Sequence, residues 1–150
     1  MENKNIVSEI EITYKSKTKP SEREKITMSK DCERIFRSIY DINKIEHKEM
    51  FYAMYLNKSN KVLGVLLISE GGVTGTVADP KLIFQGALKL NATGIVLSHN
   101  HPSGNLQPSE EDKKLTHKIK EGAKLLDMVV IDHIIITSEY YLSFADEGIF

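Results

Sequence analysis

The sequence predicts an α/β fold of α+β-like character, a mixed sheet flanked by helices, in a single chain of 150 residues. Three observations predict it. Apolar runs rich in β-branched and aromatic residues recur at 49–57, 61–69, 93–98 and 128–137. Apolar residues at helical spacing follow Ser29, Asp79-Pro80 and Ser109, which suit helix starts. The two kinds of element are mixed without strict strand–helix–strand alternation, which favours helices sandwiching a central sheet.

In chain order, residues 6–14 alternate Ile10, Ile12 and Tyr14 with Glu9, Glu11 and Thr13, the pattern of a half-buried edge strand. Lys15 to Lys25, with Pro20, reads as loop, so residues 1–28 are expected to be a strand and linker ahead of a domain at 29–150. Ser29 suits an N-cap, and Cys32, Ile35, Phe36, Ile39 and Tyr40 trace a helical stripe. The runs at 49–57 and 61–69 flank Lys58-Ser59-Asn60, which predicts a hairpin. The stretch Glu70-Gly71-Gly72-Val73-Thr74-Gly75 reads as a loop, not as a nucleotide-binding fingerprint, since no strand–turn–helix unit opens on it. Pro80 starts a helix with Leu82, Ile83, Ala87 and Leu90 on its buried side. A later helix carries Leu115, Ile119, Ala123 and Leu126 along one face, with His117 off that stripe. The last long strand holds His133, which reads as a core histidine.

Composition narrows the function classes. With 41% hydrophobic and 27% charged residues the chain is globular, not disordered. Its apolar runs fall far short of a membrane span, and Met1 to Asn5 lead into a polar segment with no secretory pattern, so a cytoplasmic location and no membrane partner are expected. The lone Cys32 excludes an internal disulfide and any paired-cysteine zinc knuckle, and its place on a helical stripe makes it a small core residue. A net charge of −1 lacks the basic excess of nucleic-acid binders and argues against direct DNA binding. Lys15, Lys17, Lys19, Arg23 and Lys25 are partly balanced by Glu22 and Glu24 and read as a solvated linker.

One stretch carries the chemistry. The strand at 93–98 runs into Ser98-His99-Asn100-His101-Pro102-Ser103-Gly104, and then Ser109-x-x-Asp112 opens a helix. Residues i and i+2 of a strand share a side, so His99 and His101 converge at the strand's end while Asn100 points away and reads as structural. Ser109 suits the N-cap, with Asp112 in the first turn. Strand end, Gly/Pro loop and helix start thus gather two imidazoles and a carboxylate, the three-ligand pattern of a catalytic zinc site with one open position. Gly104 is expected to permit a tight turn and Pro102 to stiffen the exit from the strand.

The spacing His-x-His-Pro-x-Gly followed by Ser-x-x-Asp resembles the JAMM, or MPN+, metalloprotease motif. The stretches 90–104 and 131–136, within a region from about Ser29 to the end, resemble the RadC family. The resemblance implies the MPN or JAB fold, a cytidine-deaminase-like three-layer architecture. It also implies zinc held by His99, His101 and Asp112, and hydrolysis of a peptide or isopeptide bond in a peptide or protein-conjugate substrate. It implies a glutamate base on an early strand, for which Glu49 stands in place and Glu46 is the nearby alternative, and an oxyanion hydrogen bond from Ser109. Full-length RadC proteins carry an N-terminal helix-hairpin-helix region, whereas only about 28 residues precede the domain here, which weakens the inherited expectation of DNA binding. Such short versions resemble the stand-alone RadC-like proteins of mobile elements.

Three neighbouring readings fall away. His99-Asn100-His101 is contiguous, whereas the HNH nuclease motif disperses its residues through a ββα unit. One cysteine cannot supply a deaminase's Pro-Cys-x-x-Cys arm, and no His-Glu-x-x-His occurs. What remains is a zinc metallohydrolase or, alternatively, a non-catalytic factor of DNA repair or mobile-element maintenance with a structural zinc.

Overall fold

The computed structural model describes residues 6–71 and 77–150. After a single 3₁₀ turn at Pro20–Glu22 come α1 (Ser29–Ile39), β1 (Met50–Leu56), β2 (Val62–Glu70) and α2 (Pro80–Lys89). They are followed by β3 (Gly94–Asn100), α3 (Glu110–Leu125), β4 (Val129–Ile136) and β5 (Tyr141–Ser143). The mixed sheet has five strands in the order β2-β1-β3-β4-β5. β1 and β2 form the expected antiparallel hairpin, and β1 also pairs antiparallel with β3. β3 and β4 are parallel, and α3 is the crossover that a parallel pair requires.

The sheet divides the core into two layers. Met50, Tyr52, Met54 and Leu56 of β1 face α1 with Val96, Ile134 and Ile136, against Cys32, Ile35 and Phe36. Phe51, Ala53 and Tyr55 face the other way with Ile95 and Leu97, against Ile83 and Ala87 of α2 and Ile119 and Ala123 of α3. Every residue of β1 and β3 is therefore buried, and neither strand shows the polar alternation of a one-sided sheet. Gly86 brings α2 close: a Cβ there would lie 2.5 Å from the hydroxyl of Tyr55, which donates to the Ile83 carbonyl at 2.7 Å.

Several expectations are corrected. Residues 6–14 form no strand, and Ile6, Val7, Ile10 and Ile12 are 78–101% exposed. Alternation alone does not make a strand; a partner edge must accept its hydrogen bonds. The start of β2's outer edge is instead met by the segment read as linker, where Ile26 N–H donates to Asn60 O and Val62 N–H to Glu24 O, each at 2.8 Å. Ser29 is not the cap of α1 but its first residue, with Met28 at the N-cap. The Asp31 carboxylate reaches back to the N–H groups of Thr27 and Met28 at 2.8 and 3.2 Å, so α1 starts one residue early. On α2, Leu82 is 41% exposed, while Ile83 and Ala87 fill the core. On α3 the buried line is Thr116, Ile119 and Ala123; Leu115 only packs against it, and Leu126 is the C-cap, where the helix has ended. Of the Gly-rich loop, residues 72–76 lie outside the described residues, as do Met1 to Asn5. Among the described residues, no helix is long and apolar enough to cross a membrane.

Cys32 is 1% exposed in the α1 layer, and burial, aided by the charge of Asp132, pushes its thiol up to about 12. A disulfide reagent at mildly alkaline pH is therefore expected to leave folded Cys32 untouched and to titrate it once denaturant is added. Stoichiometric labelling of the native protein within minutes would contradict the burial.

Candidate metal centre

The pairing of β1 with β3 builds the site. Phe51 lies opposite His99, and continuing that register sets Glu49 across from His101 on the same face. Beyond β3, His101 N–H donates to Ile136 O at 3.0 Å, keeping the second histidine in line with the first. The chain then turns through Gly104, whose φ of 83° suits glycine and whose N–H closes the turn on His101 O at 3.0 Å. Ser109 caps α3 as expected: its Oγ accepts from Asp112 N–H at 3.0 Å, and Asp112 Oδ2 accepts from Ser109 N–H at 2.8 Å. Capping uses an Oγ lone pair, and the Ser109 O–H finds no acceptor among the described residues.

Four ligand-bearing residues meet here. One donor atom each from Glu49, His99, His101 and Asp112 falls within 4.8 Å of the others. His99 Nε2 lies 2.9 Å from His101 Nε2, and the two rings stand 3.4 and 3.5 Å from Asp112 Oδ2. Ligand atoms about 2.0–2.2 Å from a tetrahedral zinc stand about 3.3 Å apart, so these three edges fit such an ion. The direction of the donors fits as well. His101 Nδ1 lies 2.5 Å from Asn105 O, and since a carbonyl only accepts, Nδ1 is the donor. Neutral His101 thus turns the lone pair of Nε2 toward His99 and Asp112, an arrangement that calls for a cation. Glu49 Oε1 stands off at 4.0 Å from His99 Nε2, beside the other three donor atoms. Glu46 is exposed and outside the group.

The charges agree with that reading. Burial raises Glu49 above the usual carboxylate range, against the pull of His99 and His101. Burial also acts to raise Asp112, but the imidazoles of His101 and His99 beside it outweigh burial and hold it far below that range. For His101 burial works downward, yet Asp112 and the Asn105 carbonyl outweigh it and the pKa is raised. The site therefore favours positive charge.

Asn100 points away from this face, as expected, and its contacts are specific. Its Oδ1 accepts from Met50 N–H at 2.7 Å, and its Nδ2 donates to Ile45 O and Lys48 O, both at 2.8 Å. It clamps the turn from Ile45 to Met50 on which Glu49 is carried. The long separation in sequence hid that clamp, whose only local sign was an amide between the two histidines. His117 is exposed, away from the ligand group. His133 is fully buried, as a core histidine should be, but it stands directly behind His99 with Nε2 at 2.7 Å from His99 Nδ1. Burial first, and then His99, holds its pKa well below the usual imidazole range.

A helix–sheet–helix sandwich with His-x-His at a strand end and Asp in the next helix's first turn is the build of a JAB, or MPN, domain. The chain belongs to the RadC-like JAB domain family, whose model matches residues 26–149. It is 48% identical over 126 residues to a UPF0758 protein of Flavobacterium johnsoniae, covering 84% of this chain and 54% of that one. It is 40% identical over 128 residues to a UPF0758 protein of Porphyromonas gingivalis, with 85% and 55% covered. A UPF0758 protein of Methanosarcina mazei is 36% identical over 126 residues, with 84% and 54% covered. The chain spans about half the length of the curated relatives it matches. The JAB-domain family includes metalloproteases.

Proposed function

We propose that the chain is a zinc-dependent hydrolase of the JAMM type that cleaves a peptide or isopeptide bond. The observation that carries this reading is the convergence of His99, His101 and Asp112 at zinc-ligand spacing, with the half-buried Glu49 carboxylate beside them. Zinc in that position would act as a Lewis acid toward a carbonyl and lower the pKa of water to about 7. The protein's own groups account for the rest. His99 Nε2, His101 Nε2 and Asp112 Oδ2 would hold the ion. Glu49, raised by burial, takes the proton of the attacking water and passes it to the leaving amine. Ser109, on the rim at the start of α3, donates its O–H to the developing oxyanion, an interaction worth about 3 kcal/mol where measured in other hydrolases. The net charge of −1 favours a peptide or protein conjugate over duplex DNA as the partner.

The test has a metal arm and an activity arm. Purified protein is expected to hold roughly one zinc ion per chain, as a three-ligand site with an open position does. His99→Ala/His101→Ala is expected to lose the metal with the fold retained, because the two apolar layers do not depend on it. Full zinc occupancy in that double variant would refute the ligand assignment. A peptide and isopeptide library cleaved by the wild type, and not after chelation, would support the hydrolase; a zinc-loaded protein inert across that library would count against it.

A further inference from the structure

We propose that His133 and Thr116 are positioning residues that fix the tautomer of His99 and so aim its Nε2 at the metal position; this rests on the zinc reading above. The argument runs along four hydrogen-bonding groups contributed by β3, β4 and α3. Thr116 Oγ1 lies 2.8 Å from the carbonyl oxygen of Asp112. Two oxygens at that distance need a proton between them, and only the hydroxyl has one, so Thr116 donates. Having spent its single proton, Thr116 Oγ1 can only accept from His133 Nδ1, 2.6 Å away. His133 is fully buried between Phe51 and Phe144, with no carboxylate bonded to its ring, so it is neutral. A neutral imidazole with its proton on Nδ1 presents a lone pair at Nε2.

That lone pair faces His99 Nδ1 at 2.7 Å. His99 must therefore carry a proton on Nδ1, and in its neutral form, the one that can bind a metal, this leaves Nε2 unprotonated toward His101 and Asp112. The chain starts at the backbone carbonyl of Asp112 and ends beside the side chain of the same residue. One helical turn of α3 thus supplies a candidate ligand and also the carbonyl that sets the proton on another. The stacking of Phe51 on His99, at an interplanar angle of 4°, holds the ring plane, while the hydrogen-bond chain decides which nitrogen is available. Partners of this kind behind a ligating histidine commonly change metal affinity 10–100-fold when removed.

The deciding measurements are ¹⁵N NMR of the His99 ring in metal-free protein and zinc affinity by chelator competition. The wild type is expected to show His99 protonated on Nδ1. Thr116→Val keeps the shape but removes the acceptor for His133, and His133→Phe removes the acceptor for His99. Each is expected to shift His99 toward the Nε2-protonated form and to weaken zinc binding about 10–100-fold. Thr116→Ser, which keeps the hydroxyl, and His133→Gln, whose amide oxygen reaches the Nε2 position, are expected to restore most of the affinity. His99 found protonated on Nε2 in the wild type would overturn the inference. Unchanged zinc affinity in folded Thr116→Val would do the same. The metal-free tautomer separates the two readings: wild type without zinc affinity but with Nδ1-protonated His99 defeats the hydrolase and leaves the hydrogen-bond chain standing. Should His133→Phe fail to fold, the Thr116 pair decides alone.

Discussion

Glu49→Gln is expected to retain zinc, retain the melting temperature and lower turnover by roughly 10²–10⁴-fold, the usual contribution of a positioned general base. The amide has the same shape as the carboxylate but cannot take a proton from water. The structure gives this variant its force. Glu49 precedes β1 at the point where the strand register sets it across from His101, and its Oε1 stands 4.0 Å from His99 Nε2. That separation is too long for an optimal hydrogen bond and places the carboxylate beside the ligands, where a water could stand between them. Burial raises its pKa, as suits a base that must later act as an acid. Glu46→Gln is the internal control, exposed and outside the group, and is expected to change turnover less than about twofold, within the ±0.5 kcal/mol usual for surface substitutions. Equal losses in the two variants, or none in Glu49→Gln, would remove Glu49 from the role of base.

Asn100→Ala is expected to destabilise the fold by about 3–5 kcal/mol, a large share of the roughly 5–15 kcal/mol available to a domain. Asn100 is fully buried and makes three hydrogen bonds to backbone groups of Ile45, Lys48 and Met50. Truncation leaves one N–H and two carbonyls without that partner in a closed layer, at about 1–3 kcal/mol for each group that cannot recruit water. Asn100→Asp should be no remedy, since one carboxylate oxygen still accepts from Met50 while the other faces two carbonyl oxygens. Urea denaturation measures both. A loss below about 1 kcal/mol in Asn100→Ala would mean that water replaces the clamp. The same variants should lower turnover beyond what their folded fraction explains, because the clamped turn carries Glu49.

The balance between sequence and structure follows from how far each determinant reaches along the chain. His99, His101 and Asp112 were legible because a strand end, a tight turn through Gly104 and a capped helix lie within fourteen residues, and period-2 geometry and N-cap chemistry are local rules. The hairpin at Lys58 to Asn60 and the Asp79-Pro80 helix start were legible for the same reason, and Asn60 and Asp79 do the turning and capping. Glu49 came into view only through family resemblance, since no local pattern ties it to histidines some fifty residues away.

The larger errors arise where an element meets its surroundings or ends. Residues 6–14 have the periodicity of a strand, but a strand forms only where an edge accepts it, and residues 24–26 meet the start of β2 instead. Leu126 fits the helical stripe of α3, yet the helix ends at Leu125 and the chain leaves through Asp127 at φ 54°. The partners of the polar interior were not legible in the sequence. His133 reads as a core histidine and Asn100 as a structural residue, and Thr116 carries no signal of its own, but their partners come from distant parts of the chain. By itself the sequence determined most of the elements and the three candidate ligand side chains, because those follow from neighbours a few bonds apart. Only the tertiary structure decided which carboxylate stands beside them, which nitrogen of His99 faces His101 and Asp112 and what holds the Glu49 turn, because burial leaves each polar group to find a partner from a distant part of the chain.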